Sequence, residues 1–578
     1  MTKAERPVIT ETEFSQRGLT DIKKNVRGSQ VELLLEYPTV YIVYNQEGSH
    51  DYQVYVGETN DIERRTRQHL EDDVWKRTDW KYLAESTESQ MLVIGHPHFN
   101  KSLTLDIENQ MMLYLSGVED VKKLNNRREN QQNKYYTANE KDRIFSTIWQ
   151  KLHEFNADLF PTEKIVRDSS LFKASPFHTL TDEQTNAREL ILRRITMVLH
   201  TQQGHQLIWV KGEAGSGKTV LLSTLFYQLD QLGKDLNYTD FNMANNYLLV
   251  NHDEQVKVYK NIAEKLGLES TKVSKPTTFI THHSPQESVD VVLIDEAHLL
   301  WTQGKQSYRG HNQLQDILER AKVVVAVFDQ HQILKTEEYI TSENINKLEH
   351  QAEQQGNLIE LKNQLRMNAN EKTREWLYNL TEQRIVSKIP TDLNYDLRIF
   401  EDPVAMYEAI KTKAENEDHG LSRMLATFDW PFKRKKNGRS KGCYMVTVGK
   451  LSLPWNLQLP LAEDQKGQSK HLAWAEQHQT IGEVGSTYTV QGFDLNYSGV
   501  IIGPSVKYRN GKVIFDPTAS QNRNAIRKRT LDNDQRVYVS DELLSNELNV
   551  LLTRGVNGLY IYAVDDELRR VLRDANKK

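Results

Sequence analysis

Apolar residues along this chain repeat in two rhythms, and the switch from one to the other marks the elements. Near the start, Pro38-Thr39-Val40-Tyr41-Ile42-Val43-Tyr44 and Gln53-Val54-Tyr55-Val56-Gly57 read as two short strands, and the polar, glycine-containing connection between them predicts a hairpin. Alternation sends Tyr41 the opposite way from Val40 and Ile42, and Tyr55 the opposite way from Val54 and Val56. A cap at Asn60 or Asp61 then opens a helix with Arg65 and His69 four apart on one face. A second helix, over about 103–115, carries Ile107, Met111 and Tyr114 on its apolar stripe and includes Glu108, with Asn125 shortly after. The stretch 155–176 mixes Pro161, Pro176 and scattered charges and reads as a linker. Beyond it, Gln206-Leu207-Ile208-Trp209-Val210 is a buried strand, after which Leu221, Leu222, Leu225, Leu229 and Leu232 recur at helical spacing until Gly233. Apolar runs at 291–294, 323–328 and 499–502 add strands, with helical patterns between them. Strand-helix alternation of this kind predicts an α/β chain with parallel sheets.

The turn after the 206–210 strand is Gly212-Glu213-Ala214-Gly215-Ser216-Gly217-Lys218-Thr219. Glycines, a lysine and a hydroxyl at this spacing, on a strand-to-helix turn, make a phosphate-binding loop. Gly212, Gly215 and Gly217 let backbone N–H groups wrap the phosphates, and the positive helix end points at them. Lys218 is then expected to reach the β and γ phosphates of ATP, and Thr219 to hold Mg²⁺. The strand Val291-Val292-Leu293-Ile294 ends in Asp295-Glu296, the first suited to Mg²⁺ and the second to activating the attacking water. His298 follows, equally readable as a bland histidine or a coupling residue. Gln332, just past the 323–328 strand, can touch the γ-phosphate, and Gln184 offers an amide to an adenine edge.

In order, these residues resemble a superfamily-one helicase. Gln184 matches that family's adenine-reading glutamine, and Asp329 with Gln332 its Asp-x-x-Gln pattern. Asn363-Gln364-Leu365-Arg366 resembles the motif that supplies an arginine to the γ-phosphate. Tyr488-Thr489-Val490-Gln491-Gly492-Phe493-Asp494 resembles the Gln-Gly motif that links nucleic acid to the ATP cleft, and Leu551-Leu552-Thr553-Arg554-Gly555 the closing Thr-Arg motif. The resemblance implies two RecA-like lobes, adds Gln491 and Gly492 to the nucleotide-binding set, and makes Arg366 and Arg554 arginine fingers, worth roughly 10³–10⁵ in turnover. Singly, each arginine would read as a surface residue in an ion pair; their order after a complete first lobe favours the finger. Closer still, 295–308 and 484–504 look like the Schlafen-like helicase domain found in bacteria, over about 180–572. Phe328 departs from a common glycine and Asp494 from a common glutamate.

The N-terminal pattern resembles the GIY-YIG nuclease family. The signature tyrosines fall on Tyr41 and Tyr55, its glycine on Gly57, its arginine on Arg65, the following histidine on His69, the metal-binding glutamate on Glu108 and a late asparagine on Asn125. Thr39-Val40 replace Gly-Ile in the first motif, a backbone position. The resemblance implies that Tyr41 takes a proton from water, Arg65 stabilises phosphate charge, Glu108 holds one Mg²⁺ or Mn²⁺, and Tyr55 and His69 assist. The expected boundaries are a small α+β nuclease domain over 1–154, a linker over 155–178, lobe one over 179–370 and lobe two, with insertions, over 371–578.

Composition changes the picture modestly. A formal charge of -5 over 578 residues excludes a uniformly basic nucleic-acid coat but leaves local grooves. Arg64, Arg65 and Arg67, then Lys122, Lys123, Arg127 and Arg128, and the run Lys433-Arg434-Lys435-Lys436 with Arg439 and Lys441 behind Trp430 and Phe432, are the candidate contacts. The lone Cys443 excludes a disulfide within the chain and a cysteine-rich zinc site. With neither an apolar leader nor a membrane-length apolar run, the expected place is the cytoplasm. The expected function is an ATP-dependent nuclease-helicase acting on nucleic acid, single-stranded or forked DNA ahead of RNA, in anti-phage defence, with a protein partner or homo-oligomer left open. The alternative is a nucleotide-driven sensor that hydrolyses ATP without processive unwinding.

Overall fold

The computed structural model describes residues 6–26, 28–48, 50–75, 78–125, 135–201, 204–234, 241, 244–305, 308–416, 420–433, 443–462, 472–490, 492–531 and 535–576. Gln491, Arg127, Arg128 and all of the basic run after Lys433 lie outside them. The chain forms two compact units. One comprises Met1–Thr181 with Ser223–Leu236 and Val258–Val273, the other Asp182–Leu222, Asn237–Lys257 and Ser274–Lys578.

The first unit is built on a sheet ordered Val8–Glu13, Gln90–Gly95, Thr39–Glu47, Asp51–Thr59, Val121–Asn125. The expected hairpin pairs Tyr41 with Gly57 and Val43 with Tyr55, and Val121–Asn125 joins in parallel, setting Asn125 beside Tyr55. Alternation sorts the side chains as anticipated. Val40, Ile42, Val54 and Val56 pack with Leu103, Ile107 and Met111 of the helix Lys101–Ser116, whereas Tyr41, Val43 and Tyr55 pack with Ile62, Trp80 and Leu83 on the other face. Each such buried aliphatic contributes about 1.5–3 kcal/mol. Asp61 caps the helix Ile62–Glu71 by accepting from Arg64 N at 2.9 Å.

The expected linker is ordered. It contains the helices Glu163–Asp168 and Ser170–Lys173, buries Leu159 and Phe160 completely, and accepts a hydrogen bond from Trp149 Nε1 at Pro161 O (2.6 Å). Ser223 Oγ donates to Ala174 O at 2.7 Å and Thr224 Oγ1 to Pro176 O at 3.1 Å. Lys265, 3 % exposed, donates to Val118 O at 2.5 Å and Ser116 O at 3.3 Å, at the C-terminal end of the Glu108 helix. Prolines and charges conceal these apolar anchors in the sequence.

The second unit holds two parallel sheets. In one, Leu358–Leu361, Gln206–Gly212, Ala321–Phe328, Val289–Asp295 and Asn246–Val250 lie in that order, all neighbours parallel. In the other the order is Asp396–Ile399, Gly555–Ala563, Leu495–Ile502, Ser422–Ala426, Val484–Gly485, again parallel. These are the two RecA-like lobes. The strand that feeds the phosphate loop lies between Ala321–Phe328 and Leu358–Leu361, where chain order reverses, so its carboxyl end opens into a crevice. Phe328 fills the core against Trp209, with ring centroids 4.7 Å apart, which accounts for its departure from glycine. Among the described residues no helix is long and apolar enough to cross a membrane.

Candidate active sites

The phosphate loop turns through Gly215 (φ 85°) and Gly217 (φ 75°), both in the left-handed region. A Cβ on Gly217 would lie 2.0 Å from Gln184 Nε2, and one on Gly215 would lie 2.4 Å from Arg366 Cβ, so both neighbours need glycine there. Gly212 is the third loop glycine, with Ser216 Oγ 2.6 Å from where its Cβ would be. Gln184 Nε2 donates to Ser216 O at 3.1 Å. Lys218 Nζ donates to Gly212 O and Glu213 O, both at 2.7 Å, and lies 3.7 Å from Asp329 Oδ2. Thr219 Oγ1 donates to Asp295 Oδ2 at 3.2 Å, and Asp295 is 1 % exposed. Glu296 sits at φ 51°, costing about 1–2 kcal/mol, with its carboxylate 3.1 Å from the buried His298.

Lobe two closes on this group. Arg554, fully buried, donates to Gln332 Oε1 at 3.1 Å, and Gln332 Nε2 donates to Asp329 Oδ2 at 2.8 Å. Arg366 Nε lies 2.5 Å from Asp494 Oδ1, so the aspartate still meets the arginine. Burial and the neighbouring Arg366 pull the Arg554 guanidinium down to about 10. Burial pushes the Glu296 carboxyl up, but His298, Lys218 and Arg554 outweigh it and hold it below its ordinary value. Burial likewise opposes the Asp329 charge, and Lys218 and His298 restore it. The structure thus brings together Gln184, the loop glycines, Lys218, Thr219, Asp295, Glu296, Gln332, Arg366 and Arg554. Gly492 (φ 85°) has Gln255 Nε2 2.6 Å from where its Cβ would be, and the residue after it, Phe493, accepts from Arg554 Nη1 at 3.3 Å through its carbonyl oxygen.

A cavity of about 920 Å³ opens beside the cleft. Lobe one lines it with His252, Glu254, Lys257 and Lys335; lobe two lines it with Phe428, Phe432, Lys433, Trp474, Tyr488 and Phe493. Of the basic run, Lys433 is the described member, and it lines this cavity. Phe432, Lys433, Tyr488 and Phe493 come from the basic-aromatic run and the Gln-Gly motif singled out in the sequence, whereas His252, Glu254, Lys257, Lys335, Phe428 and Trp474 belong to no motif and escape sequence reading.

On the tyrosine face of the N-terminal sheet, Tyr41 Oη lies 2.7 Å from His69 Nε2, and His69 Nδ1 lies 2.5 Å from Asp73 Oδ2. Trp80 stacks on the imidazole with centroids 3.7 Å apart, and Tyr55 packs on Trp80 at 4.4 Å. Burial, then Tyr55, raises the Tyr41 phenol well above its ordinary value; Arg65 lies against both phenols and offsets part of that rise. A Cβ on Gly57 would lie 2.5 Å from the Tyr41 phenol oxygen, so the signature glycine makes room for the ring. Asn125 Nδ2 is buried on this face without a hydrogen-bond partner among the described residues. Glu108, 4 % exposed, comes from the helix layered on the opposite face. Sequence reading missed Asp73 and Trp80, although Asp73 is four residues past His69 and so readable as its helical neighbour. Among the described residues no three or more His, Cys, Asp or Glu side chains gather as a metal cluster. The oxygen pair of Thr219 and Asp295 still suits Mg²⁺, which takes few protein ligands beside phosphates, and a single buried carboxylate at Glu108 suits one hard cation.

Two family models match the chain. The GIY-YIG catalytic domain matches residues 37–142, and the Schlafen group 3, DNA/RNA helicase domain matches residues 205–565, more than half of the chain. The uncharacterized protein YPL245W of Saccharomyces cerevisiae is 32% identical over 436 residues, covering 69% of this chain and 92% of that protein. Among solved structures, the arterivirus nonstructural protein 10 helicase aligns at 11% identity and a TM-score of 0.26, over 66% of this chain and 64% of that one. The Pif1 helicase of Candida albicans aligns at 11% identity and a TM-score of 0.26, over 69% and 98%. By the family match and the yeast relative, the chain belongs to the Schlafen group 3 helicase family and carries a GIY-YIG nuclease domain ahead of the helicase.

Proposed function

We propose that this protein hydrolyses ATP in the cleft between its two lobes, uses the energy to move on a nucleic-acid strand held in the aromatic and basic groove, and cuts phosphodiester bonds at the tyrosine face of its N-terminal domain. The observation that carries the reading is the convergence of Arg366 and Arg554 with Lys218, Asp295, Glu296 and Gln332 in one cleft. Lys218 neutralises phosphate charge, Glu296 takes the proton of the attacking water, and Gln332 links the γ-phosphate position to Arg554. Mg²⁺ held by Thr219 and Asp295 would add charge stabilisation. The arginines are restrained by Asp494 and Gln332 and are released to the phosphate as the lobes adjust.

At the nuclease site a raised phenol is a poor base alone. The chain Tyr41 to His69 to Asp73 answers this: as Tyr41 takes the proton of water, its own proton passes to His69 Nε2, and Asp73 stabilises the imidazolium. Arg65 stabilises charge on the phosphate and Tyr55 orients the group. The family resemblance gives Glu108 the divalent ion that would support the leaving oxygen; its helix packs on the other face of the sheet, so the structure does not bring it to the tyrosines.

The groove's aromatics and lysines suit a single strand. The biological reading is destruction of foreign DNA, such as phage genomes, in the cytoplasm, with repair as the competing use. ATP turnover measured with single-stranded DNA, duplex DNA and RNA tests the motor. Stimulation by one of them that vanishes in Lys218→Ala supports it, and equal turnover with and without all three removes it. The Arg366–Asp494 pair also fits a switch held shut until a partner binds, so hydrolysis without strand displacement would favour the sensor reading.

A further inference from the structure

The helix Ser540–Leu552 ends at the Thr553-Arg554 motif, and its middle does something the motif does not explain. Glu547 is 1 % exposed. One of its carboxylate oxygens accepts from Phe428 N, and the other accepts from Asn522 Nδ2 at 2.7 Å. Asn522 Oδ1 in turn accepts from the Tyr488 phenol at 2.8 Å. Phe428 and Tyr488 both line the groove, with rings edge-on at 5.5 Å. A buried carboxylate therefore holds two groove walls at once.

The same helix grips the ATP side. Asn546 Nδ2 donates to Ile333 O at 2.9 Å and to Gln330 O at 3.2 Å, clasping the turn that bears Gln332. About two turns further on, just past the end of the helix, Arg554 reaches Gln332 itself. We propose that Glu547 is the positioning residue through which strand binding in the groove is transmitted to the ATP site, its carboxylate tying Phe428 and, through Asn522, Tyr488 to the helix that fixes the Gln330–Ile333 turn and Arg554. This rests on the motor reading above, because it assumes that the groove holds a strand and the cleft hydrolyses ATP.

The protonation state matters. Both oxygens face N–H donors, so the ionised form makes both bonds, whereas a proton on either oxygen faces a donor and releases one link. Burial, then the nearby Asp429, pushes the Glu547 carboxyl up to about 7. The other groups around it are the Tyr488 phenol, with Glu338 and Lys335 beyond that ring, and Asp516 behind Asp429. Coupling should therefore be half-formed near pH 7, approach completion about a unit above it and be lost as the pH falls below it.

The test is ATP turnover of the full chain, with and without a single-stranded oligonucleotide that stimulates the wild type, from pH 6 to 8.5. Glu547→Gln keeps shape but offers one acceptor in place of two. The expected result is an unchanged unstimulated rate, a stimulation reduced about tenfold at pH 8, and loss of the wild-type fall in stimulation below pH 7. Asn522→Ala, which cuts only the Tyr488 branch, should reduce stimulation less and leave the pH dependence in place. Stimulation and pH profile equal to wild type in Glu547→Gln overturn the proposal. An equal loss of the unstimulated rate overturns it too, since that marks a merely structural carboxylate. If no strand stimulates even the wild type, the motor reading falls and takes this one with it.

Discussion

The two reaction centres are prepared in opposite ways. The ATP cleft is crowded with formal charge: Lys218 lies against Asp329, Glu296 is held charged by His298, Lys218 and Arg554, and Arg366 meets Asp494. The nuclease face relies on a chain of hydrogen bonds through Tyr41, His69 and Asp73, walled by Trp80 and Tyr55, with Arg65 as the cation against the phenols. On the proposed reading, a site that recognises a highly charged triphosphate is held by charges that would exchange partners when the lobes move, and a site that strips a proton from water is held by a fixed relay instead. Motion would then be part of one mechanism and a threat to the other.

The sharpest break in this comparison comes from the arginines. Arg554→Ala should lower strand-stimulated ATP turnover by about 10³–10⁵ while nicking of a substrate that needs no translocation continues. If turnover stays within tenfold of wild type, the cleft is not completed by lobe two. Next in size, Tyr41→Phe should lower metal-dependent nicking by about 10²–10⁴ with ATP turnover intact; a plasmid-nicking time course reads this, and wild-type nicking would dismiss the relay. Asp73→Asn should cost a comparable amount, up to about 10⁴ in nicking, because Asp73 sets the His69 tautomer that leaves Nε2 open to the Tyr41 proton. Gly57→Ala tests rigidity: its Cβ must displace the Tyr41 ring from 2.5 Å, so thermal unfolding should show a loss of about 1–3 kcal/mol in the first unit. The smallest effect belongs to the groove. Lys335→Ala should weaken strand binding roughly uniformly across sequences and reduce the salt dependence by about one charge, as read by fluorescence anisotropy at several salt concentrations.

How much was legible follows the same division. Phosphate binding depends on backbone shape, and shape needs glycine, so Gly212, Gly215 and Gly217 announce the loop; the contacts with Gln184 and Arg366 show why no other residue fits at two of them. Period-two alternation was enough to place Tyr41 and Tyr55 on one face. Asp494 reads as a departure in sequence, yet its carboxylate meets Arg366. The groove was legible only on its lobe-two side, at Phe432, Lys433, Tyr488 and Phe493; its other walls are assembled by tertiary packing from residues far apart. Asp73 was passed over for a subtler reason: an acid four residues past a histidine is common on helix surfaces, and only burial shows that His69 is its partner. The 155–178 stretch read as a tether because prolines and charges outnumber its anchors Leu159, Phe160 and Leu171.

That ordered stretch has a consequence for inheritance. Ser223, Thr224, Ile262 and Lys265 lie within the helicase portion of the sequence, yet they fold with the first 181 residues. A deletion ending at residue 178 would leave an ammonium without its carbonyls and an apolar patch open to water. The cutter is therefore not a bead that recombination can exchange at will: a lineage that lost it would have to resurface the engine behind it, and a truncated polypeptide should aggregate unless those positions are redesigned.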